Sequence, residues 1–436
     1  MLRLFILILL LFGCTKMQSQ NTLYFPDKTY NANWDTVSPS SLGWCTNYID
    51  TVLNYVDAND SKGFIILQDG KIALEHYTGT FTADSFWYWA SAGKTITSLL
   101  TGIAQEEGFL AISDTTSKYL GNNWTSCSPS QEGMITIRNQ LTMTSGLDDA
   151  FTDPDCQDPS CLQYLADAGT RWAYHNAAYL LLQSVISSAT GVTYSNYTNT
   201  RLNQKTGMFG FWLDSVYYSR TRDMARFGLM ILNEGVWNQD TLLHDSTYFH
   251  DMVNTSQNLN NSYGYLWWLN GKGSYMVPGF QLVFPTDLIP NAPDDMIAAL
   301  GKNDQKIYVI PSQNRVIVRM GNTSGSPVLA VSSFDNQLWA KLDQLFCTPV
   351  GIDATAETTS DIKIFPNPVT AVCTLNSTKE ISEVSILDLT GKFILQQSVR
   401  NNQCNLSQLT PGCYLMIPFG INKIAFPPQK IIKIPE

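Results

Sequence analysis

Ser91-Ala92-Gly93-Lys94 stands at the start of a stretch with helical apolar spacing, and it offers the clearest chemistry in the chain. Residues three apart on a helix share a face, so the Ser91 hydroxyl and the Lys94 amine can meet. A serine hydroxyl is a weak nucleophile until a base takes its proton, and a lysine can be that base when burial leaves its amine neutral. The helix start also presents backbone N–H groups to an oxyanion. The spacing alone is common, since Ser360-Asp361-Ile362-Lys363 repeats it in a segment that reads as linker. Tyr174-His175-Asn176 is a second candidate, and Tyr194-Ser195-Asn196 and Tyr197-Thr198-Asn199 share its pattern. Context separates them: Ser91 follows the aromatic run Phe86-Trp87-Tyr88-Trp89, which can wall a pocket, and Tyr174 precedes a strongly apolar helical stretch. The plain alternative for each is core packing or a solvated pair.

The elements that must hold these residues read as an α+β arrangement. Residues 42–106 follow the pattern helix, two strands, helix, with segments 64–68 and 71–76 joined by Asp69-Gly70, a hairpin signal. A late hairpin pairs 305–310 with 316–320 around Pro311-Ser312-Gln313-Asn314. Between them, helical apolar spacing appears in 96–103, 179–186 and 224–232. The expectation is an antiparallel sheet built from both ends of the domain around a helical middle. After Cys347 the core pattern stops, and residues 349–361 read as a linker. From 362 to 436 short alternating strands (384–387, 393–396, 414–417) predict a small all-β sandwich.

Composition bounds the function. The chain has 436 residues, 44% of them hydrophobic and 12% aromatic, which makes it globular. A net charge of −10 and the lack of a Lys/Arg run argue against nucleic acid as a partner. Met1-Leu2-Arg3 followed by an apolar run from Leu4 to Phe12 fits a signal peptide over residues 1–20, too short to span a bilayer, with the main domain then covering 21–348. Leu11-Phe12-Gly13-Cys14 also resembles a lipobox, with Cys14 as the acylated residue. The remaining eight cysteines form an even set that in an exported chain suggests disulfides, and Cys156 and Cys161 flank a loop short enough to join them. The four histidines form no zinc-spaced cluster with them, and no metal or organic cofactor is implied.

The motifs taken in order resemble the serine β-lactamase and penicillin-binding-protein superfamily, in its class C-like branch of esterases, peptidases and amide hydrolases. The resemblance spans residues 63–345. It rests on Ser91-Ala92-Gly93-Lys94, Gly102 to Gly108, residues 135–147 ending Thr144-Ser145-Gly146-Leu147, Tyr174-His175-Asn176, Arg222-Asp223-Met224-Ala225-Arg226-Phe227-Gly228 and Tyr263-Gly264-Tyr265-Leu266-Trp267-Trp268. It implies a β-lactamase-like fold and acyl transfer through Ser91, with Lys94 and Tyr174 sharing the proton transfers. It further implies an oxyanion hole from the N–H groups of Ser91 and Lys302, an Asn176 that orients the substrate or Lys94, and a substrate contact at Gly301. The family's third motif, Lys-Thr-Gly or His-x-Gly, corresponds here to Ala299-Leu300-Gly301-Lys302, without a cation at its head. In β-lactamases that cation helps hold the substrate carboxylate, so the departure favours an ester, amide or peptide over a β-lactam. Strand alternation would turn Lys302 to a different side. A β-lactamase or D-Ala-D-Ala carboxypeptidase is the alternative within the enzyme class, and an inactive binding protein on the same scaffold is the alternative outside it. A Ser-His-Asp reading through His175 and Asp148 or Asp149 is disfavoured, because His175 holds the variable position of its motif.

The last 75 or so residues resemble the sorting domain of the Bacteroidetes type IX secretion system, through Ile364-Phe365-Pro366-Asn367-Pro368, residues 386–392, residues 409–415 and Lys430-Ile431-Ile432-Lys433. Such a domain implies the secretion machinery as a partner and a secreted or cell-surface location, and it weighs against anchoring through Cys14. The implied substrate is a small molecule or peptide.

Overall fold

Asp69 and Gly70 both adopt positive φ, at 49° and 81°, the backbone that a two-residue hairpin turn requires. They join β1 (Ser61–Gln68) to β2 (Lys71–Tyr77) in an antiparallel pair. A computed structural model of the chain describes residues 23–150, 152–324, 331–347, 362–377, 380–388, 393–420, 426 and 429–435. The expected signal segment 1–20 with Cys14 and the expected linker 349–361 lie outside those residues. The chain divides into two compact units, residues 1–348 and 349–436.

In the first unit a small sheet combines β3 (Phe86–Tyr88), β4 (Gly210–Leu213) and β5 (Val216–Arg220) in the order β3-β5-β4. A two-residue ribbon follows, β6 (Val236–Trp237) with β7 (Asp240–Thr241). The large sheet is completed by β8 (Trp268–Leu269), β9 (Ile297–Gly301), β10 (Gln305–Ile310) and β11 (Arg315–Gly321). Its order is β2-β1-β11-β10-β9-β8, antiparallel throughout, so the first and last strands of the domain are neighbours, with Ile65 opposite Val318. Helices cover both faces, because alternate residues point opposite ways. On one face the helix Thr221–Leu232 brings Gly228 so close that a Cβ there would stand 2.5 Å from Val316 and 3.1 Å from Ile307. On the other, the Tyr308 hydroxyl donates to Asp335 of the helix Ser333–Phe346 at 2.6 Å. Strands β9 to β11 are therefore buried from end to end.

The helical middle centres on Lys94–Glu106, where every residue from Lys94 to Ala104 is buried. Most hydroxyls of such a buried helix are satisfied internally, although Ser98 Oγ has no hydrogen-bond partner among the described residues. Thr95 and Thr101 donate to the carbonyls of Ala92 and Thr97 at 2.7 and 2.8 Å. Disulfides join Cys45 to Cys347 and Cys156 to Cys161. The even set suggested by the sequence is thus only half paired: Cys127, Cys373, Cys404 and Cys413 are free thiols. Cys373 and Cys404 face each other across two strands, both fully buried, and act there as small apolar side chains.

The second unit is all β. β12 (Lys363–Phe365), β13 (Val372–Asn376) and β16 (Gln403–Asn405) form one sheet. β15 (Phe393–Ser398), β14 (Ile381–Leu387), β17 (Gly412–Gly420) and β18 (Gln429–Lys433) form the other, in that order. Val369, Leu375, Val384, Ile386, Leu406, Met416 and Ile431 fill its core.

Candidate active site

Ser91 lies in the 3₁₀ turn Ala90–Gly93, which runs directly into the helix Lys94–Glu106. Ala90 takes φ 46°, a left-handed conformation that costs a non-glycine residue about 1–3 kcal/mol and persists only when its surroundings enforce it. Trp89 supplies the enforcement. Its N–H donates to the Tyr217 carbonyl and its indole Nε1 to Ser219 Oγ, both at 2.8 Å, while its own carbonyl accepts from Ala92 N at 3.1 Å.

Lys94 Nζ donates to Ser91 Oγ at 3.0 Å. The amine sits 4.3 Å from the ring centre of Tyr179 and 5.2 Å from that of Tyr174, in a buried aromatic cage. Burial disfavours its charged form and lowers its pKa to about 7, with the Asp155 carboxylate pulling the other way. Burial pushes the Tyr174 phenol above the ordinary tyrosine range, opposed by a hydrogen bond with Ser91. Its ring stacks on Trp268 at 6.0 Å and meets Tyr263 edge-on at 6.3 Å. Ser91, Lys94 and Tyr174 therefore converge on one oxygen.

His175 takes another role. Its Nδ1 accepts from Ala178 N at 3.2 Å and caps the helix Asn176–Thr190. That bond leaves the proton on Nε2, and burial lowers the pKa, so the ring is neutral. Asp149 is occupied by Arg171 at 2.6 Å. His175 Nδ1 and Asp149 thus each have a partner other than Ser91. Asn176, the first residue of that helix, keeps a buried Oδ1 with no hydrogen-bond partner among the described residues.

Gly301 ends β9 against the turn that carries Ser91. A Cβ there would stand 2.4 Å from the Trp89 carbonyl oxygen and 3.0 Å from Ala92 N, so the missing side chain makes room for the turn's own backbone. The strand stops at this point. Lys302 is exposed and begins a 3₁₀ turn, Lys302–Asp304, in which Asn303 and Asp304 have φ of 63° and 57°. Strand alternation consequently does not set the direction of Lys302, contrary to the sequence expectation. The turn is fixed from behind: Arg319 donates to the carbonyls of Asn303 and Asp304 at 3.0 and 2.9 Å, and Lys306 pairs with Asp335 at 2.8 Å and Asp304 at 3.2 Å. Lys306 is fully buried in that network, and Ala299 and Leu300 are buried apolar residues. No cation heads the third motif. Among the described residues no cluster of His, Cys, Asp or Glu is placed to hold a metal ion.

Sequence reasoning missed Tyr179 and Asp155. Thr97, one helical turn beyond Lys94, donates to the Tyr179 hydroxyl at 3.3 Å, a pairing of two i+3 positions that only packing reveals. Asp155 belongs to a loop whose Pro154 carbonyl accepts from Ala177 N at 3.1 Å, which brings it to the start of the Asn176 helix. Because its charge raises the Lys94 pKa, removing it should lower that pKa and keep the amine neutral to lower pH. The acid limb of the kcat/KM profile is expected to move to lower pH in Asp155→Asn and to stay in place in Asp155→Glu. An unmoved limb in Asp155→Asn refutes the coupling.

Residues 61–338 match the family model described as Beta-lactamase, and residues 363–425 match the Secretion system C-terminal sorting domain. An uncharacterized protein of Alkalihalophilus pseudofirmus is 23% identical over 321 residues, covering 62% of this chain and 86% of its own. Among solved structures, a proposed 6-aminohexanoate-dimer hydrolase from Bacillus anthracis is similar, with a TM-score of 0.56, 17% identity and coverage of 75% of this chain and 89% of that one. A penicillin-binding-protein homologue from Caulobacter crescentus is similar at a TM-score of 0.53 and 12% identity, covering 68% and 97%. At these identities the solved structures speak for the fold.

Proposed function

The chain belongs to the Beta-lactamase family, and from that premise we propose that it is a serine hydrolase cleaving an ester, amide or peptide bond through an acyl-enzyme on Ser91. The observation that carries the proposal is the 3.0 Å contact between Lys94 Nζ and Ser91 Oγ, made by an amine whose pKa burial lowers to about 7. A neutral Lys94 takes the Ser91 proton as Oγ attacks the carbonyl carbon. Tyr174, whose raised pKa keeps it protonated at neutral pH, hands a proton to the leaving group and recovers one from Lys94. Water then attacks the acyl-enzyme, with the same groups working in reverse. The Ser91 and Lys302 N–H groups serve as oxyanion donors, each contributing about 10²–10³ in rate. Asn176 orients the substrate; its buried Oδ1 has no hydrogen-bond partner among the described residues.

Two features support an ester or linear amide over a β-lactam. Leu300 and Ala299 provide no clamp for a substrate carboxylate, and Lys306 is committed to Asp304 and Asp335. The name of the similar Bacillus anthracis protein also points to a linear amide. The sorting domain supports export across the outer membrane and a secreted or surface location.

A fluorophosphonate probe tests the proposal. Covalent labelling mapped to Ser91 is the expected result, and no labelling at any pH would sink it. A screen of p-nitrophenyl esters, linear amides, D-Ala-D-Ala peptides and nitrocefin then separates the substrates. Efficient nitrocefin turnover overturns the reading of Leu300.

A further inference from the structure

The small sheet β3-β5-β4 has two unlike faces. Trp87, Trp212, Tyr217 and Ser219 point inward, and Tyr217 and Ser219 are fully buried. The opposite face carries Phe86 and Tyr88 from β3, Tyr218 from β5, and Phe211 and Leu213 from β4. The four rings touch in series: Phe86 to Phe211 at 5.8 Å, Phe211 to Tyr218 at 5.6 Å and only 7° from parallel, and Tyr218 to Tyr88 at 6.2 Å. Phe86, Phe211 and Leu213 remain 40%, 49% and 52% exposed. Contiguous exposed aromatic surface on a small sheet marks a binding surface more often than chance exposure.

This face is continuous with the catalytic turn. Tyr88 precedes Ser91 by three residues, and its hydroxyl accepts from Asn303 Nδ2 at 2.6 Å, in the turn that follows Gly301. The Trp89 bonds to Tyr217 and Ser219 fasten β5 to the nucleophile turn. Arg220, which shares the outer face, is folded back onto Asp223 at 2.8 Å and presents no free charge there. The leaving group must lie against its proton donor Tyr174, whose ring neighbours are Trp172, Tyr263 and Trp268 rather than any ring of this face. The acyl portion is left to extend the other way.

We infer that the Phe86–Phe211–Tyr218–Tyr88 face is an acyl-binding platform, and that the substrate carries an uncharged apolar acyl group, alkyl or aryl, on its scissile carbonyl. The inference rests on the serine hydrolase reading and names its substrate class. Apolar burial is worth up to about 0.8 kcal/mol per methylene, so chain length is the sensitive variable.

The test compares p-nitrophenyl acetate, butyrate, octanoate and benzoate with the full chain and with Phe211→Ser and Tyr218→Ser variants, which change partly exposed positions outside the catalytic groups. Wild type is expected to gain about tenfold or more in kcat/KM from acetate to octanoate. The variants should lose most of that gain while keeping acetate turnover and fluorophosphonate labelling of Ser91. A response to octanoate without benzoate assigns an alkyl group, and the reverse assigns an aryl group. A flat length profile with intact labelling overturns the platform alone, as does a variant that loses all substrates equally. Absent labelling overturns the hydrolase reading instead. In that case binding of octanamide, followed by ligand-observed NMR, still reads the platform: equal binding to wild type and Phe211→Ser refutes it.

Discussion

Replacing Lys94 with Met is expected to lower the rate of Ser91 acylation by about 10³-fold or more while the protein still folds. Methionine matches the length of the lysine stem and suits the cage of Tyr174 and Tyr179, but it cannot accept a proton. Lys94→Arg should fail as a base too, because a guanidinium stays charged at any working pH. In wild type the acid limb of kcat/KM should lie near pH 7, where Lys94 becomes neutral. The sign for stability follows from the same shift. A lysine whose folded pKa lies below its unfolded value binds fewer protons folded than unfolded between about pH 7 and 10, so burying it destabilises the native state most at low pH. Lys94→Met should accordingly melt at a higher temperature than wild type below pH 7, with the difference shrinking as pH approaches 10. Stopped-flow acylation and melting curves across pH check both halves. Retained acylation, or a melting difference that grows with pH, would refute the assignment of Lys94 as a buried neutral base.

Gly301→Ala should be nearly as damaging, through geometry rather than chemistry. The added methyl would meet the Trp89 carbonyl oxygen at 2.4 Å and Ala92 N at 3.0 Å, both backbone atoms of the turn that holds Ser91. Backbone cannot swing aside as a flexible side chain does, so either β9 or the nucleophile turn must shift. A displacement near 1 Å at a catalytic group costs about 10²-fold in rate, and overpacking costs about 1–3 kcal/mol in stability. kcat/KM measured well below the melting temperature separates the two effects. Wild-type turnover in Gly301→Ala would show that strand and turn are not coupled as described.

Local signals carried much of the fold. The Asp69-Gly70 hairpin, the 305–310 and 316–320 strands and the three helical stretches occur where spacing put them, because turn geometry and side-chain period depend on neighbours along the chain. The sheet β3-β5-β4 escaped notice. Phe86–Tyr88 is three residues long and Gly210–Leu213 four, too short for alternation to register, and its outer face is apolar where a half-exposed strand is expected to be polar. Strand β9 was likewise invisible as a strand by itself, since burial on both faces erases alternation. Lys302 was misjudged for a related reason: the positive φ at Asn303 and Asp304 ends the strand at Gly301, and neither residue announces that in sequence.

By itself the sequence determined which side chains were available, Ser91, Lys94 and Tyr174, and that the first two lie within one helical turn. It also marked the third motif as lacking a cation, because composition at a position needs no coordinates. Only the tertiary structure decided that Lys94 is a buried amine with a lowered pKa beside Ser91 Oγ. The same tetrad recurs at Ser360 and Lys363, and spacing cannot tell the two apart. A lysine loses its proton near neutral pH when distant residues exclude water from it, and here Tyr179 does so from another helix and Tyr174 from the segment that precedes it, while Asp155 limits the shift from a loop. Desolvation and charge act through space rather than along the chain, so the surroundings of Ser91 and Lys94 are a property of the fold.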